Sequence, residues 1–212
     1  MKITCGLCGS SKLESIQLDK PYHHCQRCDF IFMDDCNLLE ENEERQRYLQ
    51  HNNTIENTGY VKMFQTFIDN ALQPKFAAAD TILDYGSGPN PVFAQIMRRQ
   101  GKAVDIYDPY FSPSIEYLHR QYDMITLTEV IEHIQYPIEN LKPLKDCLTP
   151  NGLLAIMTRI HPGINQFEKW WYRKDNTHIS FYSLKTAQVL ATALGMSITK
   201  TDGERFFCLQ NK

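Results

Sequence analysis

The chain has 212 residues, 42% of them hydrophobic, and a formal net charge of -3. This length and composition suit one globular domain with a small attachment. The charge gives no overall attraction to nucleic acid or to an anionic membrane. No apolar stretch approaches the length of a membrane span, and residues 1–5 do not resemble a signal peptide, so we expect a cytoplasmic protein with no membrane-bound state.

Two C-x-x-C pairs near the start of the chain are separated by 16 residues. The four cysteines are Cys5, Cys8, Cys25 and Cys28. This spacing is typical of a structural zinc site in which four thiolates hold one cation. A segment of about 35 residues cannot stabilise itself with its own core, so the metal would supply its folding energy. We expect Gly9 and Asp29, which follow the two pairs, to adopt a left-handed backbone.

The same cysteines permit two other interpretations, a redox-active C-x-x-C and unrelated free thiols. We expect His23 and His24 at the surface, the alternative being that one of them replaces a cysteine ligand. Acidic and basic side chains are mixed in residues 1–36, which counts against RNA binding through this segment. The sequence therefore predicts a zinc ribbon over residues 1–36 that shapes a lid or docks a protein partner.

Residues 37–75 are predicted to be a linker followed by a helix that packs on the main domain. The first part is rich in charged side chains and indicates a solvated helix and a loop. Over residues 58–72 apolar side chains recur every three or four positions, which predicts an amphipathic helix. Tyr60 lies at the start of this helix.

The clearest unit of the chain is a strand, a glycine turn, a helix, a second strand and an acidic residue. Residues 81–83 form an apolar run suited to a buried parallel strand. The turn that follows reads D-Y-G-S-G-P-N over residues 84–90, and its last residue is predicted to cap a helix that begins at Pro91. Residues 103–107 form the second strand, and Asp108 comes directly after it.

Such a unit builds a nucleotide-type cofactor site at the carboxyl edge of a parallel sheet. Glycines let the backbone approach a ligand closely, and a helix N-terminus offers unpaired N–H groups to an anion. An acidic residue after the second strand can accept hydrogen bonds from ribose hydroxyls. The dinucleotide fingerprint G-x-G-x-x-G is not met, because Pro91 stands at its third glycine position.

Three segments in this order resemble class I S-adenosylmethionine (SAM) methyltransferases. Residues 84–88 are similar to the first motif, an acidic residue followed by G-x-G. Residues 122–133 resemble the fourth strand with its following E-H helix, and residues 149–157 resemble the turn and fifth strand. The resemblance covers residues 76–212 and implies an α/β fold, a Rossmann-like class I methyltransferase sheet whose last strand is antiparallel, serving as a SAM-binding domain.

Two further features refine this resemblance. The ribbon and an H-N-N…G-Y pattern at residues 51–53 and 59–60 resemble a largely uncharacterised bacterial group of these enzymes, in which that segment packs over the cofactor; a loop with side chain–backbone bonds is the alternative. Only residues 109–122 separate Asp108 from the next strand. That length is too short for a helix, a third strand and another helix, so we expect the sheet to be reduced at its third-strand edge.

The resemblance also implies a set of SAM-binding residues. They are Tyr60, Asp84, Gly86, Ser87, Gly88, Asp108, Pro109, Thr128 and Glu129. In this interpretation the glycine turn lines the methionine end, Asp84 orients it, Asp108 takes the ribose and Tyr60 reaches the carboxylate. The family's acidic contact to adenine has no counterpart here. The adenine surface is therefore expected to come from elsewhere, with Thr128 assisting the apolar side chains at the end of the second strand and after it, which are Tyr107, Pro109, Tyr110 and Phe111.

Two histidines are candidate catalytic bases. His133 follows Glu129 by four residues on a predicted helix at the ligand-binding edge, and a bond to a backbone group is its alternative role. His178 lies in residues 175–183, which resemble a family segment D-x-T-H-x-S-F-Y-S, and simple packing is its alternative. Glu132 is expected to face solvent or cap an amide. A base assists methyl transfer when the nucleophile is a hydroxyl or an acidic C–H.

The sequence thus predicts a SAM-dependent methyltransferase that acts on a small molecule or a carrier-bound group and carries zinc as a structural metal. The alternatives are a methyltransferase of rRNA, tRNA or protein, and a non-catalytic protein that binds SAM or interacts through its zinc ribbon.

Overall fold

The computed structural model describes residues 3–50 and 53–212. The strands are β1 (Leu13–Gln17), β2 (Pro21–Cys25), β3 (Ile31–Met33), β4 (Thr81–Tyr85), β5 (Ala103–Tyr107), β6 (Tyr122–Thr128), β7 (Leu148–Met157), β8 (Ser180–Phe181), β9 (Ser197–Thr201) and β10 (Phe206–Gln210). The α-helices are α1 (Glu41–Leu49), α2 (Thr58–Phe67), α3 (Lys75–Ala78), α4 (Val92–Arg99), α5 (Pro137–Asp146), α6 (Ile164–Phe167) and α7 (Leu184–Ala193). Among the helices of these residues, none has both the length and the apolar character that a membrane span requires.

A six-stranded sheet in the order β5-β4-β6-β7-β10-β9 forms the centre of the molecule. Strands β4, β5, β6 and β7 are parallel, whereas β10 runs antiparallel to both of its neighbours. This arrangement confirms the predicted α/β Rossmann-like sheet with an antiparallel last strand. In the described part of the chain no strand lies beyond β5, which confirms the reduced edge. Between β5 and β6 the chain holds only a bridged turn and a 3-10 turn, Ile115–His119.

Apolar side chains cover both faces of this sheet. On one face Ile82 and Met124 pack with Phe64 and Phe93 from α2 and α4. On the other face a second cluster joins the sheet to α5 and α7, and it includes Leu7 of the N-terminal segment. Burial on both faces explains the apolar runs of the inner parallel strands, residues 82–83 of β4 and 153–157 of β7.

The flanking helices follow the predicted pattern with one difference. α2 and the π-helical turn Ile68–Leu72 together fill the predicted span, and the Asn57 side chain caps α2 by accepting from Tyr60 N at 3.1 Å. α4 begins at Val92 rather than at Pro91, and no side chain caps it. The reason is the ψ of 65° at Pro91, which lies outside the helical range. The predicted cap is therefore wrong: Asn90 contributes its backbone oxygen, 2.7 Å from Val92 N.

The N-terminal segment shares a second sheet with a distant part of the chain. This sheet has the order β1-β2-β3-β8, and β8 lies between β7 and α7 in sequence. Ile31 pairs with Phe181 across β3 and β8. The apolar residues that join the two parts are Tyr22, Ile31, Met33, Phe167, Tyr172 and Phe181. The ribbon residues are thus packed directly on the segment that carries His178.

Candidate functional site

The four cysteines of the N-terminal segment converge. Their sulfur atoms all lie within 4.8 Å of one another; Cys5 Sγ is 3.6 Å from Cys28 Sγ, and Cys8 Sγ is 3.5 Å from Cys25 Sγ. In a tetrahedral site with Zn–S bonds of about 2.3 Å, neighbouring sulfurs stand about 3.8 Å apart, so the group fits zinc.

The turns around these cysteines have the expected conformation. Gly9 has φ 67° and Asp29 has φ 64°, which confirms the predicted left-handed positions. His23 and His24 do not join the sulfur group, because their Nε2 atoms contact Asp34 at 2.9 Å and Asp29 at 2.8 Å. The expected surface position is wrong for His23, which is 9% exposed.

The glycine turn after β4 is closed on one side and open on the other. Gly86 and Ser87 donate their N–H groups to Tyr107 O at 2.7 and 3.0 Å, which ties the turn to β5. A Cβ on Gly86 would lie 2.4 Å from Val130 Cγ2, whereas a Cβ on Gly88 would meet no atom of the described residues within 4 Å. Both glycines have positive φ. Ser87 Oγ is buried and has no hydrogen-bond partner in residues 3–50 and 53–212.

Asp108 points into this turn. Its Oδ2 accepts from Gly88 N at 2.9 Å, and its Oδ1 accepts from Tyr110 N at 2.9 Å and Phe111 N at 3.1 Å. A carboxylate offers about four acceptor positions, so three bonds leave room for one more. The side chain therefore fixes the loop after β5 and can still accept one ribose hydroxyl.

Asp84 lies beneath the turn, 1% exposed, and its Oδ1 is 3.4 Å from Thr126 Oγ1. Burial raises the pKa of Asp84 to about 7, and the charge of Asp108 adds to the shift. Burial also raises the pKa of Tyr60, followed by the negative charges of Asp84 and Glu129. Tyr60 is thus near enough to Asp84 and Glu129 for their charges to act on its hydroxyl.

Two of the predicted adenine contacts, Pro109 and Thr128, lie on either side of the turn. Pro109 is exposed after β5, and Thr128 is half-buried at the end of β6. Because β4 lies between these strands, two strand spacings of about 4.8 Å separate them.

The segment after β6 differs from the predicted helix. Only a 3-10 turn, Ile131–His133, forms there. Glu129 has φ 55°, a left-handed conformation that stops a helix from starting at this residue. The i, i+4 relationship between Glu129 and His133 therefore has no helix to support it. The expectation that Glu132 faces solvent is also wrong, since it is 0% exposed.

Two buried glutamates meet at one tyrosine. Tyr172 Oη lies 2.5 Å from Glu132 Oε1 and 2.9 Å from Glu129 Oε2. Burial raises the pKa of Glu129 to about 8, with the negative charge of Glu132 as the second cause. Burial raises the pKa of Glu132 as well. The pair consequently retains a proton near neutral pH more readily than two exposed carboxyls would.

Both candidate histidines lie beside this pair. His133 Nδ1 is 2.8 Å from Thr177 O, and His178 Nδ1 is 2.7 Å from Tyr172 O. A carbonyl only accepts, so each Nδ1 carries the proton. The two rings are 4.9 Å apart. Burial lowers the pKa of His178 and so favours its neutral form. The negative charge of Glu132 opposes this effect.

Sequence reasoning missed the role of α1, which was expected to be solvated. Glu44 accepts from Tyr48 Oη at 2.5 Å and from Tyr110 Oη at 2.6 Å. The Tyr48 ring meets the His133 ring edge-on at 5.4 Å. α1 therefore contacts both the loop after Asp108 and His133. Its only sequence signal was one aromatic residue, Tyr48, in a run of charged residues. The first two residues of the H-N-N pattern, His51 and Asn52, lie outside the described residues.

A model of the methyltransferase domain family matches residues 48–201, most of the chain. The chain belongs to this family. The matched range of the methyltransferase domain contains the glycine turn, Asp108 and the Glu–His cluster, and it begins after the four cysteines. No curated protein matches the sequence.

Solved structures share the fold of this methyltransferase domain at low identity. Human N-acetylserotonin methyltransferase in complex with SAM has a TM-score of 0.55 at 12% identity, covering 81% of this chain and 56% of its own. The SAH-bound form of CalO1, a methyltransferase in calicheamicin biosynthesis, has a TM-score of 0.54 at 10% identity, covering 81% of this chain and 59% of its own. An O-methyltransferase family protein from Burkholderia thailandensis has a TM-score of 0.51 at 15% identity, covering 80% of this chain and 63% of its own. The chain matches less than two thirds of the length of each.

Proposed function

We propose that this chain is a SAM-dependent methyltransferase whose acceptor is a small molecule or a carrier-bound group with a hydroxyl. The observation that carries the proposal is the glycine turn facing Asp108 at the carboxyl edge of the parallel sheet, beside a buried Glu–His cluster. Ligands bind at this edge in open α/β sheets. The neighbours bound to SAM or SAH, and those described as O-methyltransferases, support both the cofactor and an oxygen acceptor.

The turn suits an adenosyl sulfonium. A Cβ on Gly88 would meet no described atom within 4 Å, Ser87 Oγ lacks a protein partner in the described residues, and Asp108 keeps one acceptor position. In our assignment Gly86, Ser87 and Gly88 hold the methionine end. Asp108 accepts a ribose hydroxyl, and Pro109 and Thr128 border the adenine.

Asp84 and Tyr60 complete the methionine end. Asp84 is buried near the end of β4, two residues before Gly86, and in our assignment it orients the methionine end. Tyr60 lies in the first turn of α2, where burial raises the pKa of its hydroxyl and the charges of Asp84 and Glu129 raise it further. A phenol in this position can donate to the SAM carboxylate.

Methyl transfer is an in-line displacement on a carbon that the sulfonium already activates. Holding the acceptor in line with the methyl therefore supplies much of the rate. The oxygen–carbon bond forms while the carbon–sulfur bond breaks, and its electron pair stays on the sulfur of S-adenosylhomocysteine (SAH). His178 and His133 are the proposed bases for the hydroxyl proton. Burial lowers the pKa of His178, which favours the neutral form that can accept a proton.

We also propose that the four cysteines hold one structural zinc ion and that the protein works in the cytoplasm, where thiols stay reduced. The sulfur spacing supports the metal, and four protein ligands close the site to chemistry. The outer face of the ribbon is available to a protein partner. A nucleic-acid acceptor is disfavoured by the net charge of -3.

The proposed activity is tested by transfer of a tritiated methyl group from SAM to a molecule in an extract of the source organism. We expect one labelled product, lost in His178→Ala and retained in His119→Ala, which removes an exposed imidazole. If SAH binds but no molecule is labelled, the chain is a SAM-binding protein and not an enzyme. Label on an RNA nucleotide or on an amino-acid side chain of a protein, as opposed to a group attached to a carrier, would contradict the proposed acceptor class.

A further inference from the structure

We propose that Glu132, His133 and His178 bind a divalent metal ion at a site separate from the four cysteines. A ligand atom from each residue lies within 4.8 Å of those of the other two. The three side chains reach this point from the 3-10 turn after β6 and from the segment before β8. The position is the carboxyl edge of the sheet, where an ion would meet the substrate.

The histidines are held as metal ligands commonly are. Each Nδ1–H donates to a backbone carbonyl, His133 to Thr177 O and His178 to Tyr172 O. Such a bond fixes the tautomer, and a metal ion would then be coordinated through Nε2 of each ring. Simple packing would need neither the shared tautomer nor the convergence of both rings on one carboxylate.

The carboxylate supplies an independent observation. Glu132 is 0% exposed, and its Oε2 has no hydrogen-bond partner within residues 3–50 and 53–212, while Oε1 contacts Tyr172. A buried oxygen of this kind costs free energy unless a partner compensates it. A cation between Oε2 and the two imidazoles would provide that partner.

Charge and donor type indicate which ion fits. Glu129 places a second carboxyl on the Tyr172 hydroxyl, next to Glu132. Two neighbouring acidic groups favour a divalent cation over a monovalent one. Oxygen and nitrogen donors suit Mn²⁺, Co²⁺, Fe²⁺ or Zn²⁺, whereas the four thiolates select zinc. Three protein ligands leave coordination positions for a water or a substrate oxygen.

The role of the ion rests on the proposed function, although its binding does not. Val130, between Glu129 and Glu132, abuts Gly86 of the turn, so the ion and the cofactor would be neighbours. An acceptor hydroxyl bound to the ion would become more acidic. Its proton would pass to Glu129, and its oxygen would then take the methyl as neutral SAH leaves. The histidines would in that case hold the ion and not the proton.

The test is Mn²⁺ binding to the full chain loaded with one zinc, followed by electron paramagnetic resonance. We expect one bound Mn²⁺ per chain, with affinity at least tenfold weaker in Glu132→Gln and in His178→Ala. Glu139→Gln and His119→Ala remove an exposed carboxylate and an exposed imidazole, and they should leave the affinity unchanged. SAH binding by each variant shows that it is folded; should Glu132→Gln fail this check, His133→Ala takes its place.

Two results would overturn the inference. One is that neither Mn²⁺, Co²⁺ nor Zn²⁺ binds beyond the first zinc. The other is that Glu132→Gln and His178→Ala bind the second ion as tightly as the unchanged chain. If the ion binds and SAH does not, only the proposed function is contradicted. If SAH binds and the ion does not, only the inferred metal site is contradicted.

Discussion

Val130 packs against Gly86 so closely that a Cβ on the glycine would lie 2.4 Å from one Val130 methyl carbon and 2.8 Å from the other. This contact joins the cofactor turn after β4 to the segment that carries Glu129 and Glu132. A shift in one would displace the other. Gly86 is therefore required both for its φ of 78° and for the space that Val130 fills.

We predict that Gly86→Ala is more harmful than Gly88→Ala. Both substitutions force a left-handed alanine at a cost of about 1–2 kcal/mol, but only Gly86→Ala also overlaps Val130. The overlap should add about 1–3 kcal/mol to the loss of unfolding free energy, measured in urea. Val130→Ala should recover most of that added loss in the double variant. Equal stability of the two alanine variants would show that the contact is not tight.

The sequence was most informative where a local pattern determines local structure. Residues 81–88 combine an apolar strand with two glycines, and both features concern neighbouring residues only. The cysteine spacing predicted the group of four sulfur atoms for the same reason. Each C-x-x-C pair forms a short local turn, and Gly9 and Asp29 turn the chain after the two pairs. The short stretch between Asp108 and β6 allowed the missing strand to be predicted from length alone.

The parts that failed depend on contacts between distant residues. Glu132 looked like an exposed helical residue because nothing near it in sequence shows that Tyr172 covers it. The pairing of β3 with β8 likewise joins segments far apart in the chain. The left-handed Glu129 breaks the expected helix, and its conformation is stabilised by a bond from its N–H to Met157 O at 2.9 Å. Local preference alone does not reveal such a conformation.

The raised pKa of Asp84 predicts a pH-dependent stability. The folded-state pKa of about 7 lies above the unfolded value near 4, so the folded state keeps this proton longer. The contribution of Asp84 to the free energy of unfolding is fully present below pH 4 and is lost as pH rises through 7. This contribution falls by roughly 1.4 kcal/mol per pH unit between pH 5 and 7.

Asp84→Asn should remove this slope. The measurement is the unfolding free energy in urea at pH 5 and pH 8 for both chains. We expect the unfolding free energy of the Asn variant to increase relative to that of the unchanged chain as pH rises, because the variant has no carboxyl proton to lose. A constant difference between the two chains at both pH values would refute the shift.

Loss of metal from the four cysteines should disturb His178 at a distance. Met33 N donates to Ile179 O at 2.8 Å, so β3 holds the residue that follows His178. We predict that Cys25→Ser lowers methyl transfer at least tenfold and speeds amide exchange at Met33, while SAH affinity changes less than threefold. Cys36→Ser, an exposed cysteine outside the group, is the control and should change none of these. An equal loss of SAH affinity in Cys25→Ser would mean that the whole chain unfolds.

Calorimetry with SAH tests the central claim, that the turn and Asp108 seat the adenosyl group. We predict micromolar binding to the unchanged chain, at least tenfold weaker binding to Asp108→Ala and no change in Asp146→Ala, an exposed carboxylate on α5. NADH should not bind. An absence of SAH binding, or the same affinity in Asp108→Ala when that variant is folded, would contradict this account.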